Sequence, residues 1–392
     1  MVRNKEIAAF DGYGLAVDYL LVESGSLIPM APANIKDAGK DASWCVNKTA
    51  TGIRLSTRTP ANGLPAAGDR IVDGVKRMNA LVEERSGGML LPSGGHPFAR
   101  IGDAPLSLEN HTDLFGSRTA GALWTSGTTV EIPFTDEQDF GRLHTAVRMV
   151  LPLIPAISAA SPFLEGERAS GLSARLLAVM DGTPSIPELT GSYIPEVALD
   201  QAEYYRIVLE PIARAIADRD LAERIDYHTV NQRAAVASFD QGTIAINVAD
   251  TQECPGMDAA VAEMTVAVIN AMRAGRWVSN YLQRAWHESD LLAILKDVAT
   301  MGSEAVITNR DFLLMFGKMR ESATAGELWR DLYQQLREGL SESTRIRIAH
   351  ILDHGCLAQR ILRRTGERPS REGLVDVYRE LATCLKEDRP FT

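Results

Sequence analysis

The sequence lacks the marks of a cross-linked or metal-stapled protein. Its four cysteines, Cys45, Cys254, Cys356 and Cys384, are scattered, with no Cys-x-x-Cys pair and no histidine nearby at ligand spacing. That pattern excludes a disulfide framework and a zinc knot, and a reduced, cytoplasmic setting is the simple expectation. Long apolar runs are also missing. The richest one, 257–272, is interrupted by Asp258 and Glu263 and is too short to span a bilayer, so no membrane partner is expected. The opening residues, Met1-Val2-Arg3-Asn4-Lys5, lead into a mixed stretch unlike a signal peptide.

Positive charge is in short supply. Lys and Arg total 41 against 51 Asp and Glu, a formal net charge of -10, which argues against nucleic acid as a main partner. The densest basic clusters, 345–347 and 360–364, read as helix faces. No repeat period and no low-complexity linker is present. Ser93-Gly94-Gly95 lacks the Gly-Lys-Ser/Thr and the following helix that a phosphate-cradling loop needs.

What is present is ordinary globular material, 45% hydrophobic and 23% charged over 392 residues. Alternation of Tyr13, Leu15, Val17 and Tyr19 with Gly14, Ala16, Asp18 and Leu20 predicts a strand over 8–22, followed by a Gly/Pro/Ser-rich loop over 23–42. A helix is expected over 69–84 and a short buried strand over 89–91. The β-branched run Thr128-Thr129-Val130-Glu131-Ile132 predicts another strand. Asp136 should cap a helix from about 137 to 156. Residues 234–239 and 243–248 flank Asp240-Gln241-Gly242, a hairpin turn in which glycine supplies the positive φ. From 257 onward seven helices are expected. Strands in the first two-thirds and helices in the last third give an α+β class, read as a single domain over 1–392 with a sheet core at about 8–250 and a helical part at about 251–392.

Several segments together resemble the bacterial carboxylate–amine ligases, the second type of glutamate–cysteine ligase. The resemblance rests on Asp139-Phe140-Gly141-Arg142-Leu143-His144, Leu151-Pro152-Leu153 and Ala159-Ala160-Ser161-Pro162-Phe163-Leu164-Glu165-Gly166. It also rests on Gly95-His96-Pro97-Phe98, on Asp250-Thr251-Gln252-Glu253-Cys254-Pro255, on Thr324-Ala325-Gly326-Glu327-Leu328-Trp329, and on Leu352-Asp353-His354-Gly355-Cys356-Leu357-Ala358. It implies a glutamine-synthetase-like antiparallel sheet curved into a half-barrel and flanked by helices. It further implies ATP and magnesium as cofactors, with a carboxylate activated as an acyl phosphate for attack by an amine.

That chemistry gathers several negative oxygens, which divalent cations held by Asp and Glu must neutralise. On a strand, residues i and i+2 share a face, so a Glu-x-Glu pair presents two carboxylates to one cavity. The resemblance places such a pair at Ala16 and Asp18, so one carboxylate has become a methyl. On the second strand Ser126, Thr129 and Glu131 stand where the family pattern has Gln, His and Asn. On the third, Ala245 and Asn247 replace a carboxylate and a guanidinium. Ile244, Ile246 and Val248, on the opposite face, remain core residues.

The expectation is therefore a ligase-like protein with a degenerate magnesium–ATP site, a pseudoenzyme that binds a small amino-acid-like ligand or a partner. In this reading His96, Ser126, Thr129, Ala245 and Asn247 line the substrate cavity, and Asp18 and Glu131 are the remaining candidate catalytic groups and metal ligands. The alternative is an active ATP-dependent ligase forming a γ-glutamyl-type amide, with Asp18 and Glu131 holding the metal. A third is the non-catalytic subunit of a complex with an active ligase or another amide-forming enzyme; a homo-oligomer is the other assembly expected, and would count against that third reading. Of the other histidines, His111 reads as an exposed loop residue, and His350 with His354 as a structural pair near a helix end. Cys254 and Cys356 read as buried small hydrophobes.

Overall fold

The structure, a computed structural model, describes residues 12–30, 44–49, 51–60, 63–100, 124–181, 186–221, 226–228, 230–366 and 368–392. The start of the first strand at 8–11, most of the loop over 23–42 and His111 lie outside these residues.

Its first half comprises β1 (Gly12–Glu23), β2 (Cys45–Lys48), β3 (Gly52–Pro60), α1 (Gly63–Ser86), β4 (Gly88–Leu91), β5 (Gly127–Pro133), α2 (Glu137–Val150) and α3 (Pro155–Ser158). A two-stranded hairpin β6–β7 (Phe163–Leu164, Glu167–Arg168) follows. Next come α4 (Ala174–Asp181), α5 (Gln201–Tyr204), α6 (Glu210–Ala217), β8 (Ala235–Ser238) and β9 (Thr243–Asp250). After α7 (Pro255–Arg273) the chain is largely helical to α14 (Arg371–Glu387).

Seven strands form one antiparallel sheet in the order β2-β3-β1-β5-β9-β8, with β4 pairing the far end of β1. The sheet is open, its path running from β2 to β8 without closing. Period-2 alternation divides it into two faces. On the helix face, Leu15, Val17, Tyr19, Ile53, Leu55, Val130, Ile132, Ile244, Ile246 and Val248 are buried in one core with residues of α1, α2 and α7. Each such side chain contributes about 1.5–3 kcal/mol by leaving water. The opposite face carries Gly14, Ala16, Asp18, Arg54, Thr129, Glu131, Ala245 and Asn247, and we call it the site face.

Asp136 caps α2 as expected, its carboxylate accepting from the Asp139 N–H at 2.8 Å. The helix stops at Val150 rather than near 156. Pro152 and Pro155 bring no amide hydrogen to continue the ladder, so a 3-10 turn (Leu151–Leu153) and the short α3 replace its last turns. Helices also take a larger share of the first two-thirds than the periodicity predicts. The β8–β9 turn is the expected one, with Gly242 at φ +64°.

Arg360 is not on an exposed helix face: it is buried in an ion pair with Glu253 and also donates to the Phe391 carbonyl at 2.6 Å. Among the described residues no helix is long and apolar enough to cross a membrane.

α2 also carries a buried histidine. His144 stacks on Phe140 with ring centroids 5.2 Å apart and meets Tyr204 edge-on. Burial, reinforced by the charge of Arg148 one turn on, pushes its imidazole down to about 3. The unfolded chain takes up that proton near pH 6.5 while the folded chain refuses it, so stability is full above pH 6.5 and falls as the pH drops toward 3. His144→Leu should flatten this slope, removing roughly 3–5 kcal/mol of acid-linked loss. Denaturant unfolding of both proteins at stepped pH measures it; parallel slopes would contradict the assignment.

Candidate functional site

The site face is organised by a guanidinium. Arg54 on β3 stands opposite Asp18 on β1, and its Nε lies 3.3 Å from the Asp18 carboxylate. From there the side chain reaches across β1 and donates to the Thr129 hydroxyl on β5 at 2.6 Å. Thr129 in turn donates to Asn247 Oδ1 on β9 at 2.8 Å. One chain of contacts thus crosses four adjacent strands. Ala16, opposite both Ser56 and Thr129, has a side chain small enough to let the arginine pass.

Burial holds the Asp18 carboxyl above the usual carboxylate range, while the charges of Arg54 and then Arg175 pull it back down. Glu131 lies elsewhere. It stands opposite Gly14 on β1 and Ala245 on β9. A β-carbon at Gly14 would lie 2.6 Å from Glu131 Oε2, so glycine is what lets this carboxylate rest against β1. Gly14 and Asp18 are four residues apart, about 13 Å along an extended strand. Asp18 and Glu131 therefore share a face without converging on one point. Among the described residues, no group of three or more His, Cys, Asp or Glu side chains is placed to hold a metal ion. His350 and His354 stand side by side, 4.7 Å between ring centroids, with no such group around them.

Two other candidates sit beside the site face. His96 is fully buried, and its Nδ1 accepts from the backbone N–H groups of Phe98 and Ala99 at 3.0 and 2.9 Å, which holds the turn. Ser126 is buried with its hydroxyl on the Ser93 carbonyl. Cys254 and Cys356 are buried, and burial raises both thiols, Cys356 to about 11, so neither is an activated nucleophile.

Sequence reasoning missed Arg54, Arg175 and Asp250. Between Thr128 and Val130 the β5–β9 register slips by one, so Asn247 and Val248 together face Thr129. A bulge of this kind leaves ladder carbonyls without strand partners. Arg175 supplies them, donating to the carbonyls of Asn247 and Val248 at 3.2 and 2.6 Å. Its Nε binds Asp250 at 2.7 Å. Asp250, fully buried, also accepts from Ala160 N–H and from the Ser161 and Ser173 hydroxyls. Buried carboxylates are tolerated only when saturated in this way.

An open antiparallel sheet with helices packed on one face and polar side chains on the other agrees with the fold of the carboxylate–amine ligases. The sequence profile described as glutamate–cysteine ligase family 2 matches residues 53–380, and the chain belongs to that family. An uncharacterized protein of Archaeoglobus fulgidus is 26% identical over 348 residues, covering 86% of each chain. Among solved structures, the chain is similar to a glutamate–cysteine ligase from Francisella tularensis in complex with AMP. There the TM-score is 0.62 at 12% identity, over 95% of this chain and 88% of that one. A bifunctional glutathione synthetase from Pasteurella multocida is similar with a TM-score of 0.55 at 11% identity. That match covers 96% of this chain but 51% of the synthetase. At such identities the structural likeness establishes the fold.

Removing the guanidinium should expose the electrostatics of the site face. In Arg54→Met the Asp18 carboxyl loses the larger of its two lowering charges, so its pKa should rise further. A carbon-detected NMR titration of the Asp18 carboxyl reads this directly, and an unmoved midpoint would break the proposed pairing.

Proposed function

We propose that this protein is a catalytically degenerate member of the glutamate–cysteine ligase family that binds a small amino-acid-like ligand on its site face. The carrying observation is the Arg54 guanidinium, paired with Asp18 and bound to Thr129, where the family resemblance calls for carboxylates facing a cation. Magnesium requires hard oxygen ligands in near-octahedral array at short distance. Asp18 is engaged by a fixed positive charge, and Glu131 is set against Gly14 about 13 Å along the strand. These groups do not fit a magnesium–triphosphate clamp, and we derive no phosphoryl step through one.

The same arrangement suits a zwitterion. Arginine recognises carboxylates through a planar fork of donors. Glu131, on the same face, adds a second carboxylate to this wall. Thr129 and Asn247, already hydrogen-bonded to each other, add polar donors and acceptors between them. Such a site holds a small amino acid or dipeptide by fixed protein charges rather than by metal ions. An acyl phosphate intermediate has no place in this reading, because among the described residues no acidic cluster gathers the cations that forming it would need.

Calorimetric titration of the full chain with glutamate, other α-amino acids and short γ-linked peptides tests the idea, with and without magnesium and ATP. Binding should be insensitive to chelators, and Arg54→Met should weaken it about 10–100-fold, the worth of a charge-assisted hydrogen bond. Magnesium-dependent ATP turnover with any carboxylate and amine pair, abolished by Glu131→Gln, would instead establish an active ligase.

A further inference from the structure

Behind the site face, between β5, β9 and α7, the structure encloses a small cavity. Thr128, Asp250, Gln252, Asp258 and Thr265 line it together with apolar side chains such as Val130 and Ile246. The room for a water-sized centre is about 10 Å³, close to what a single water molecule needs. The cavity lies at the slip in the β5–β9 register, where the bulge interrupts close packing of the ladder.

Three polar atoms of residues lining this cavity, Gln252 Oε1, Asp258 Oδ2 and Thr265 Oγ1, are buried without a hydrogen-bond partner. Their orientation is not arbitrary. Gln252 Nε2 donates to the carbonyls of Ser158 and Asp250 at 2.8 and 2.7 Å, which fixes its amide and leaves Oε1 as an acceptor. Asp258 Oδ1 accepts from Gln252 N–H at 3.0 Å and from the Thr128 hydroxyl, which leaves Oδ2 for another contact. Buried polar groups left unpaired are costly, and three on one small cavity call for a shared partner.

We propose that Asp258, Gln252 and Thr265 form a binding site for one water molecule, which ties α7 to the bulged strands and fixes the register that turns Thr129 and Asn247 to the site face. The hydrogen-bond count closes. Burial drives the Asp258 carboxyl well above its usual range against the lowering effect of the hydrogen bonds from Thr128 and the Gln252 N–H, and the charges of Glu253 and Asp388 push upward with it. Among the described residues, Tyr19 and Cys254 also interact with its charge, and Asp250, paired with Arg175, lines the same cavity. As the neutral acid, Asp258 donates from Oδ2 to the water, the water donates to Gln252 Oε1, and the Thr265 hydroxyl completes a third contact. A monovalent cation is the other occupant of comparable size. It would need an ionised Asp258 and more oxygen ligands than a wall containing Val130, Ile154, Ile246 and Val261 supplies, and the Asp250 carboxylate on that wall is already engaged by Ala160 N–H, Ser161, Ser173 and Arg175.

Because the folded carboxyl stays protonated where the unfolded one ionises, stability contributed here is lost as the pH rises above about 4. Asp258→Asn keeps the shape and removes the titration. High-resolution crystallography and oxygen-17 relaxation dispersion on the full chain locate the water and its exchange. We expect one ordered water in contact with all three residues. Thr265→Val should shorten its residence at least tenfold, and the stability of Asp258→Asn relative to the parent should increase from pH 4 to 7. Three results would overturn the proposal: density showing the cavity dry, parallel pH profiles for the parent and Asp258→Asn, or cation-like ligand distances with a Tm that climbs with sodium.

Discussion

The buried carboxylate of Asp250 is the constraint from which the rest of the site follows. It terminates β9 inside the protein and draws hydrogen bonds from Ala160, Ser161, Ser173 and Arg175, which lie 75 to 90 residues earlier in the chain. Gly94 packs so closely over it that a β-carbon there would lie 2.5 Å from the carboxyl carbon. The turn that holds His96, the turn after α3 and the first residues of α4 are thereby pinned to one point. Arg175, neutralised by Asp250, then has its remaining donors free to satisfy the carbonyls exposed by the bulge. The bulge determines which way Thr129 and Asn247 face, so a single buried charge shapes the polar wall without touching it.

The two faces of the sheet obey different rules. On the helix face, apolar side chains from β1, β3, β5 and β9 interlock with α1, α2 and α7, and shape is all that matters there. The opposite face is governed by charge placement, and similar backbones can carry different groups on it. That separation explains how a chain only 12% identical to a glutamate–cysteine ligase shares its fold over 95% of its length. Backbone likeness reports on the helix face, and chemistry must be read from the other one.

Much of the architecture was legible in the sequence because period-2 alternation and capping are local signals. Tyr13, Leu15 and Val17, and likewise Ile244, Ile246 and Val248, mark their strands and faces, and Asp136 marks its helix start. The site was less legible. Arg54 sits in Gly52-Ile53-Arg54-Leu55-Ser56, an alternation as clear as the others but framed by turn-forming residues, and it went unread as a strand. Alternation assigns Asp18, Thr129, Glu131 and Asn247 to one face, yet what joins Asp18 to Thr129 and Asn247 is an arginine two strands away from Thr129, and Glu131 stands apart from that chain of contacts. Arg360 could not be told from an exposed helix residue, because its burial depends on Glu253, more than a hundred positions earlier. Contacts between distant segments leave no periodicity to find.

The methyl group of Ala16 has a consequence for charge placement. Because Arg54 crosses β1 beside it, a glutamate placed at that position would meet a guanidinium and be neutralised by it, instead of facing solvent ready for a cation. A second carboxylate on this face would therefore have to arrive together with a replacement of Arg54 if it were to face a cation rather than a guanidinium.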